Sequence, residues 1–220
     1  TASSANPDLS EVSQAIQSFR DNVAVVDYDP AATGLSLNGL NIHNNTFESF
    51  GDGAAGYEGI FINHTLTDPT PATWATIANN TFSGVAGKAK LWRGITTERS
   101  KVNIMGNTVV TELAAANALV GIQAQDYDGR AQQNVTISGN IISGFNQGFR
   151  IGLAGQTLSS IAINNNRVVG GIVGLRVRGT ANGVTVVNNS ISGTSGNVIE
   201  NENAANMLNA EGNWLGSNVE

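Results

Sequence analysis

The chain contains no cysteine and only two histidines, His43 and His64. Without cysteine there are no disulfide frameworks, thiol nucleophiles or cysteine-based zinc sites. Charge is scarce as well: 13% of residues are charged, only 11 are Lys or Arg, and the formal net charge is −6. So acidic a chain is a poor partner for nucleic acid. No apolar run approaches ~20 residues, so nothing reads as a membrane span. The sequence opens Thr1-Ala2-Ser3 with neither an initiator Met nor a signal peptide, which reads as a processed chain or a piece of a longer one.

Asparagine and glycine are abundant instead. The 28 Asn and 26 Gly together make 54 of 220 residues, where Gly alone is ordinarily ~7%. With 40% hydrophobic residues the chain can still bury a core. The asparagines are periodic. A pattern apolar-x-(Asn/Gly)-Asn-x-apolar recurs seven times, its second Asn at Asn45, Asn80, Asn107, Asn140, Asn166, Asn189 and Asn213. Five residues before each stand Leu40, Ala75, Val102, Val135, Ile161, Val184 and Leu208; three before, Ile42, Ile77, Ile104, Ile137, Ile163, Val186 and Ala210. Two residues after come Phe47, Phe82, Val109, Ile142, Val168, Ile191 and Leu215. A second motif, Gly-apolar-x-x, starts at Gly59, Gly94, Gly121, Gly148 and Gly174, with Asn197 in its sixth copy. It lies 14 residues after the Asn in three copies and 8 in the next three.

This pattern predicts a chain coiling through short parallel strands, each with one buried face. The repeated Asn is expected to turn the chain inward through a left-handed conformation. Its amide is expected to bond the amides of neighbouring coils in a buried ladder, at about 4.8 Å per step. The expected architecture is all-β, a single-chain solenoid of about seven coils over 22–220. At the N-terminus Leu9, Val12, Ile16 and Phe19 follow helical spacing behind a capping-box sequence, Asp8-Leu-Ser-Glu11. They predict a short amphipathic helix in a segment 1–21 that caps the first coil. Val23, Val25 and Val26 are expected to begin an incomplete coil.

These seven copies resemble the right-handed parallel β-helix of the pectin-lyase-like family, over roughly residues 22–217. The closing Asn209–Ser217 stretch is similar to an Asn-x-Trp-Trp-Gly-Ser element that ends β-helical blocks of large bacterial surface or secreted proteins, with Leu215 in place of the second Trp. The resemblance implies that ligand lies along the sheet of Gly-apolar-x-x strands. On its outward face the spacing sets Phe61, Thr96, Gln123, Arg150, Arg176 and Ile199, then Asn63, Glu98, Gln125, Gly152, Arg178 and Asn201. Arg150, Arg176 and Arg178 form a basic cluster suited to uronate or sulfate groups; the competing reading is a solvated face paired with Asp or Glu. Gln123 and Glu98 lie beside them. Tyr57 and Trp92 are candidates to stack on sugar rings, against a simpler role covering the core edge.

Catalytic motifs of the family are missing, and no catalytic residue is assigned. Glu98, Asp126 and Asp128 are at most weak metal candidates, and a solvated edge is the plainer expectation. No cofactor is expected. The sequence therefore points to a non-catalytic extracellular or cell-surface module (stalk, adhesin or filament-type subunit) contacting an acidic polysaccharide. The alternative is a lyase or epimerase acting on a uronate polymer. The C-terminal end, lacking an evident cap, is expected to meet a second copy or a continuation of the parent chain.

Overall fold

The computed structural model describes residues 16–20, 23–26, 40–48, 56–62, 74–84, 90–112, 118–127 and 129–216. Within them the chain is an all-β parallel solenoid built on three sheets. A hairpin of β1 (Ile16–Arg20) and β2 (Val23–Val26) comes first. The first coil is β3 (Asn41–His43), β4 (Thr46–Glu48) and β5 (Gly56–Ile62). The second is β6 (Ala75–Ala78), β7 (Thr81–Gly84) and β8 (Lys90–Thr97). Next are β9 (Val102–Met105), β10 (Thr108–Thr111) and β11 (Val120–Ala124), then β12 (Gln132–Ser138), β13 (Ile141–Ser143) and β14 (Gln147–Ile151). The last two sets are β15 (Leu158–Asn164), β16 (Arg167–Val169) and β17 (Val173–Val177), then β18 (Val184–Val187), β19 (Ser190–Ser192) and β20 (Ile199–Asn201).

Strands of the same place in successive coils stack into one sheet. Sheet A runs β1-β2-β5-β8-β11-β14-β17-β20, sheet B holds β3 to β18, and sheet C holds β4 to β19. The expected apolar columns form the core: Ile77, Ile104, Ile137, Ile163 and Val186 align in register on sheet B, and Phe82, Val109, Ile142, Val168 and Ile191 on sheet C. All ten are buried. The number of coils is smaller than expected, about four well-formed turns rather than seven. The buried core reaches from Phe47 to Ile191 and is lined from all three sheets over the four coils from β6 to β17, whereas Leu40, Ile42, Val198 and Ile199 beyond those four coils are only partly buried. The seventh Asn repeat retains two isolated bridges, Thr185 to Asn209 and Ser190 to Trp214.

The asparagine ladder is present, with one change in how it works. The backbone N–H and Nδ2 of each Asn donate to Oδ1 of the next, from Asn45 through Asn80, Asn107, Asn140, Asn166 and Asn189 to Asn213, at 2.9–3.0 Å. The left-handed residue, however, is the one before the ladder Asn. Asn44, Asn79, Gly106, Gly139, Asn165, Asn188 and Gly212 all have φ between 54° and 69°. That column holds only Asn and Gly because those residues enter the left-handed region at least cost. The turn made there frees the ladder Asn to point inward.

A second left-handed column lies one residue before the aligned Val102, Val135 and Ile161 of sheet B, at Lys101 (φ 56°), Asn134 (φ 58°) and Ser160 (φ 54°). A lysine carries the steric cost of that conformation in full. Lys101→Asn is expected to raise stability by about 0.5–1 kcal/mol, read as a higher midpoint in thermal unfolding.

The predicted N-terminal helix is not seen. Ile16–Arg20 is a strand antiparallel to β2, pairing Phe19 with Ala24 and Arg20 with Val23. The reason lies in β2, which joins sheet A with Ala24, Val25 and Val26 beside Ile60, Phe61 and Ile62. Its outer edge would otherwise present unpaired amides, and the segment two residues upstream in sequence supplies their partners. Residues 1–15, with Leu9, Val12 and the capping-box sequence, lie outside the described residues.

The glycine column marks where coils come closest. A Cβ built on Gly148 would lie 2.5 Å from the carbonyl oxygen of Gly174 and 2.6 Å from Val168 Cγ1. The sixth position was assigned one residue early: Leu175 pairs with Ile199 and Arg176 with Glu200, so Val198, not Asn197, follows Gly174. Among the described residues no strand stacks on β20, and a side chain fits there.

Candidate functional site

That one-residue shift rewrites the outward face of sheet A. Strand pairing aligns Phe61, Thr96, Gln123, Arg150, Arg176 and Glu200 across the sheet. Glu200 and Glu202 thus replace the expected Ile199 and Asn201, and they change the basic cluster. Arg176 Nη2 lies 2.9 Å from Glu200 Oε2 and its Nε 3.3 Å from Glu202 Oε1. Arg178 Nε lies 2.8 Å from Glu202 Oε2. All four side chains are roughly a quarter to a third exposed, a setting in which ion pairs contribute little stability but do cancel charge. Two of the three arginines are therefore neutralised within the fold.

Arg150 is different. Its Nε donates to Gln147 Oε1 at 3.0 Å and its Nη1 to Gln123 Oε1 at 3.5 Å, both neutral amides. Burial lowers its pKa from the ordinary arginine value, and the positive charges of Arg93, Arg178 and Arg176 lower it further, with Tyr127 opposing. Arginine nonetheless stays protonated in proteins. The guanidinium thus sits half-buried with neutral amides as its hydrogen-bond partners. Gln123 Nε2 donates to the Tyr127 hydroxyl at 2.7 Å, and the Arg93 guanidinium lies 5.8 Å from the Tyr127 ring centroid. Gln123 therefore joins Arg150 to a half-exposed aromatic ring.

The same face is closed on the two preceding coils. Thr96 and Gln123 are fully buried, and Glu98 and Gln125 nearly so. Among the described residues Thr96 Oγ1 and Gln125 Oε1 have no hydrogen-bond partner. The face opens at Arg150, which stands at the foot of this covered stretch.

Glu98 and Asp126 do not form the solvated edge that was expected, since both are buried, at 7% and 2% exposure. Glu98 follows Thr97, which pairs with Ala124, so its lateral neighbour is Gln125 and not Asp126. Asp126 instead holds the following turn, its Oδ1 accepting from Arg130 N–H at 3.4 Å and its carbonyl from Gly129 N–H at 3.1 Å. Among the described residues no three His, Asp or Glu gather to hold a metal. Asp128 lies outside the described residues, as do the side chains of Tyr57 and Trp92, whose backbones belong to β5 and β8.

Sequence reasoning missed Gln147, Tyr127, Glu200 and Glu202. The Glu-x-Glu alternation was the available signal for the last pair, since Glu200 and Glu202 share a strand face whichever register is chosen. Tyr127 belongs to the turn after β11, where the repeat imposes no phase. No family model, curated protein or solved structure matches the chain.

Proposed function

We propose that the chain is a non-catalytic β-helix module of the extracellular or cell-surface kind, a stalk, adhesin or filament-type subunit, that holds an acidic glycan on sheet A at Arg150. The observation that supports this most is a half-buried guanidinium whose hydrogen-bond partners are two neutral amides. A carboxylate or sulfate oxygen there would gain a charge-assisted bond that the two neutral amides do not supply. Tyr127 offers the adjacent ring an apolar face. The resemblance to pectin-lyase-like repeats favours the same sheet.

Retention on immobilised alginate and heparin tests the reading. Arg150→Gln is expected to weaken binding about 10- to 100-fold, the range of one hydrogen-bonded charge. Arg176→Ala is expected to weaken it less, because Glu200 and Glu202 already occupy that side chain. Added salt should elute the wild type. Equal retention of Arg150→Gln and wild type would refute the site. Ultraviolet-absorbing unsaturated products from a uronate polymer would replace the non-catalytic reading by a lyase.

A further inference from the structure

The covered part of the outward face of sheet A holds two oxygen atoms with nothing to bond. Among the described residues Thr96, 0% exposed, has no hydrogen-bond partner at Oγ1, and Gln125, 2% exposed, has none at Oε1. Folding has taken water from both atoms and returned nothing, a state that native structures rarely tolerate without a reason. Both lie near Arg150. Thr96, Gln123 and Arg150 align on three neighbouring strands, and Gln125 stands two residues past Gln123 on the middle one. At about 4.8 Å per strand, Gln123 is one step from Arg150 and Thr96 two.

Two side chains join across this part of the face. The Tyr127 hydroxyl accepts from Gln123 Nε2 at 2.7 Å, four residues back, so the side chain runs back along the strand past the position of Gln125. Arg93 stands three residues before Thr96 on β8, and its guanidinium lies 5.8 Å from the Tyr127 ring centroid. The pair thus comes from opposite ends of adjacent parallel strands, with Thr96 and Gln125 between. The ring itself is 44% exposed. Gln123, which anchors the Tyr127 hydroxyl, also accepts from Arg150 Nη1 at 3.5 Å. An anion on Arg150 therefore disturbs the same amide that holds the ring.

We propose that the contact of Tyr127 with Arg93 is a gate, and that beneath it Thr96 Oγ1 and Gln125 Oε1 form a second subsite for a hydroxyl-bearing sugar next to the acidic one on Arg150. This subsite extends the Arg150 site and rests on the glycan reading above. The two atoms set the ligand class. Gln125 Oε1 only accepts, and Thr96 Oγ1 both accepts and donates, so free sugar hydroxyls suit them where a second anionic group would give Gln125 Oε1 nothing. Admitting the sugar breaks the bond of the ring to Gln123 and its contact with Arg93, and it gives partners to two stranded atoms. The closed population lowers the apparent affinity in proportion.

Calorimetry and stopped-flow binding of an alginate oligosaccharide to the full chain, beside thermal unfolding of the free chain, test this. Thr96→Val with Gln125→Met removes both oxygen atoms at nearly constant volume. The free double variant is expected to melt at or above the wild-type temperature, because no buried group is left stranded. Its affinity for the oligosaccharide is expected to fall about tenfold. Tyr127→Phe keeps the ring and removes its bond to Gln123, so association is expected to speed up about threefold as the open population grows. A double variant that binds as tightly as wild type overturns the proposal. If that variant does not fold, an unchanged association rate in Tyr127→Phe overturns it instead. Arg150→Gln separates the two readings: where it alone weakens binding, the Arg150 site stands and the gate falls. A wild-type chain that binds no oligosaccharide removes both.

Discussion

Asn140→Ala is expected to destabilise the chain by about 3 kcal/mol or more, because it leaves several buried groups without partners at once. Asn140 Oδ1 accepts from Asn107 N–H at 2.9 Å and Asn107 Nδ2 at 3.0 Å, while its own Nδ2 donates to Ile104 O, Ser138 O and Asn166 Oδ1. Asn107 is fully buried, so water cannot replace the lost acceptor. Each stranded group costs roughly 1–3 kcal/mol, and a loss of this size lowers the melting temperature of such a chain by about 6–12 °C. Asn213→Ala, at the half-buried last rung, is expected to cost only about 1 kcal/mol. Denaturant titrations of both variants check this. Equal, small losses would mean that water reaches the ladder along its length.

The second large effect is expected from Gly148→Ala, about 3 kcal/mol and at the upper end of what overpacking costs. The added methyl would meet the Gly174 carbonyl oxygen at 2.5 Å and both Val168 methyl carbons, at 2.6 and 3.2 Å. A carbonyl within a parallel ladder cannot retreat unless its coil moves, so the strain passes into β17 and the coil it belongs to. Gly155→Ala is the contrast. Nothing lies within 4 Å of that methyl, but φ is +78°, so the cost is purely conformational and about 1–2 kcal/mol. Calorimetry of the two variants separates coil spacing from backbone conformation, and similar losses would contradict the close-approach argument.

Much of the fold was legible in the sequence because the solenoid repeats its physics. Each coil needs an inward apolar residue before and after the turn, an amide to bridge to the next coil, and a left-handed residue ahead of that amide. Those demands recur at Ile104, Asn107 and Val109 as they do at Ile163, Asn166 and Val168. What broke the repeat was not legible. Ile16 and Phe19 satisfy helical spacing, yet the bare edge of β2 outweighs that local pattern. Asn197 was given the glycine position because eight residues had separated it from the ladder twice before, whereas the ninth residue, Val198, holds it. That single slip hid Glu200 and Glu202 and made Arg176 and Arg178 look unpaired. Tyr127 was hidden for another reason: side chains in the turns obey no column, and only coordinates bring one beside Gln123.

Val198 has a consequence for how such a molecule changes over time. The extra residue between Asn189 and Val198 was absorbed without disturbing the rung below it or the pairing of Leu175 with Ile199. Small insertions are therefore taken up between the sheets, while inheritance of the core proceeds by whole turns. Removing 141–166, for instance, would join Asn140 directly to Arg167 and present each neighbour with the same chemistry that it met before. Length becomes a quantity counted in units, altered by duplication or loss of a turn, and a surface spread over several coils is revised one step at a time.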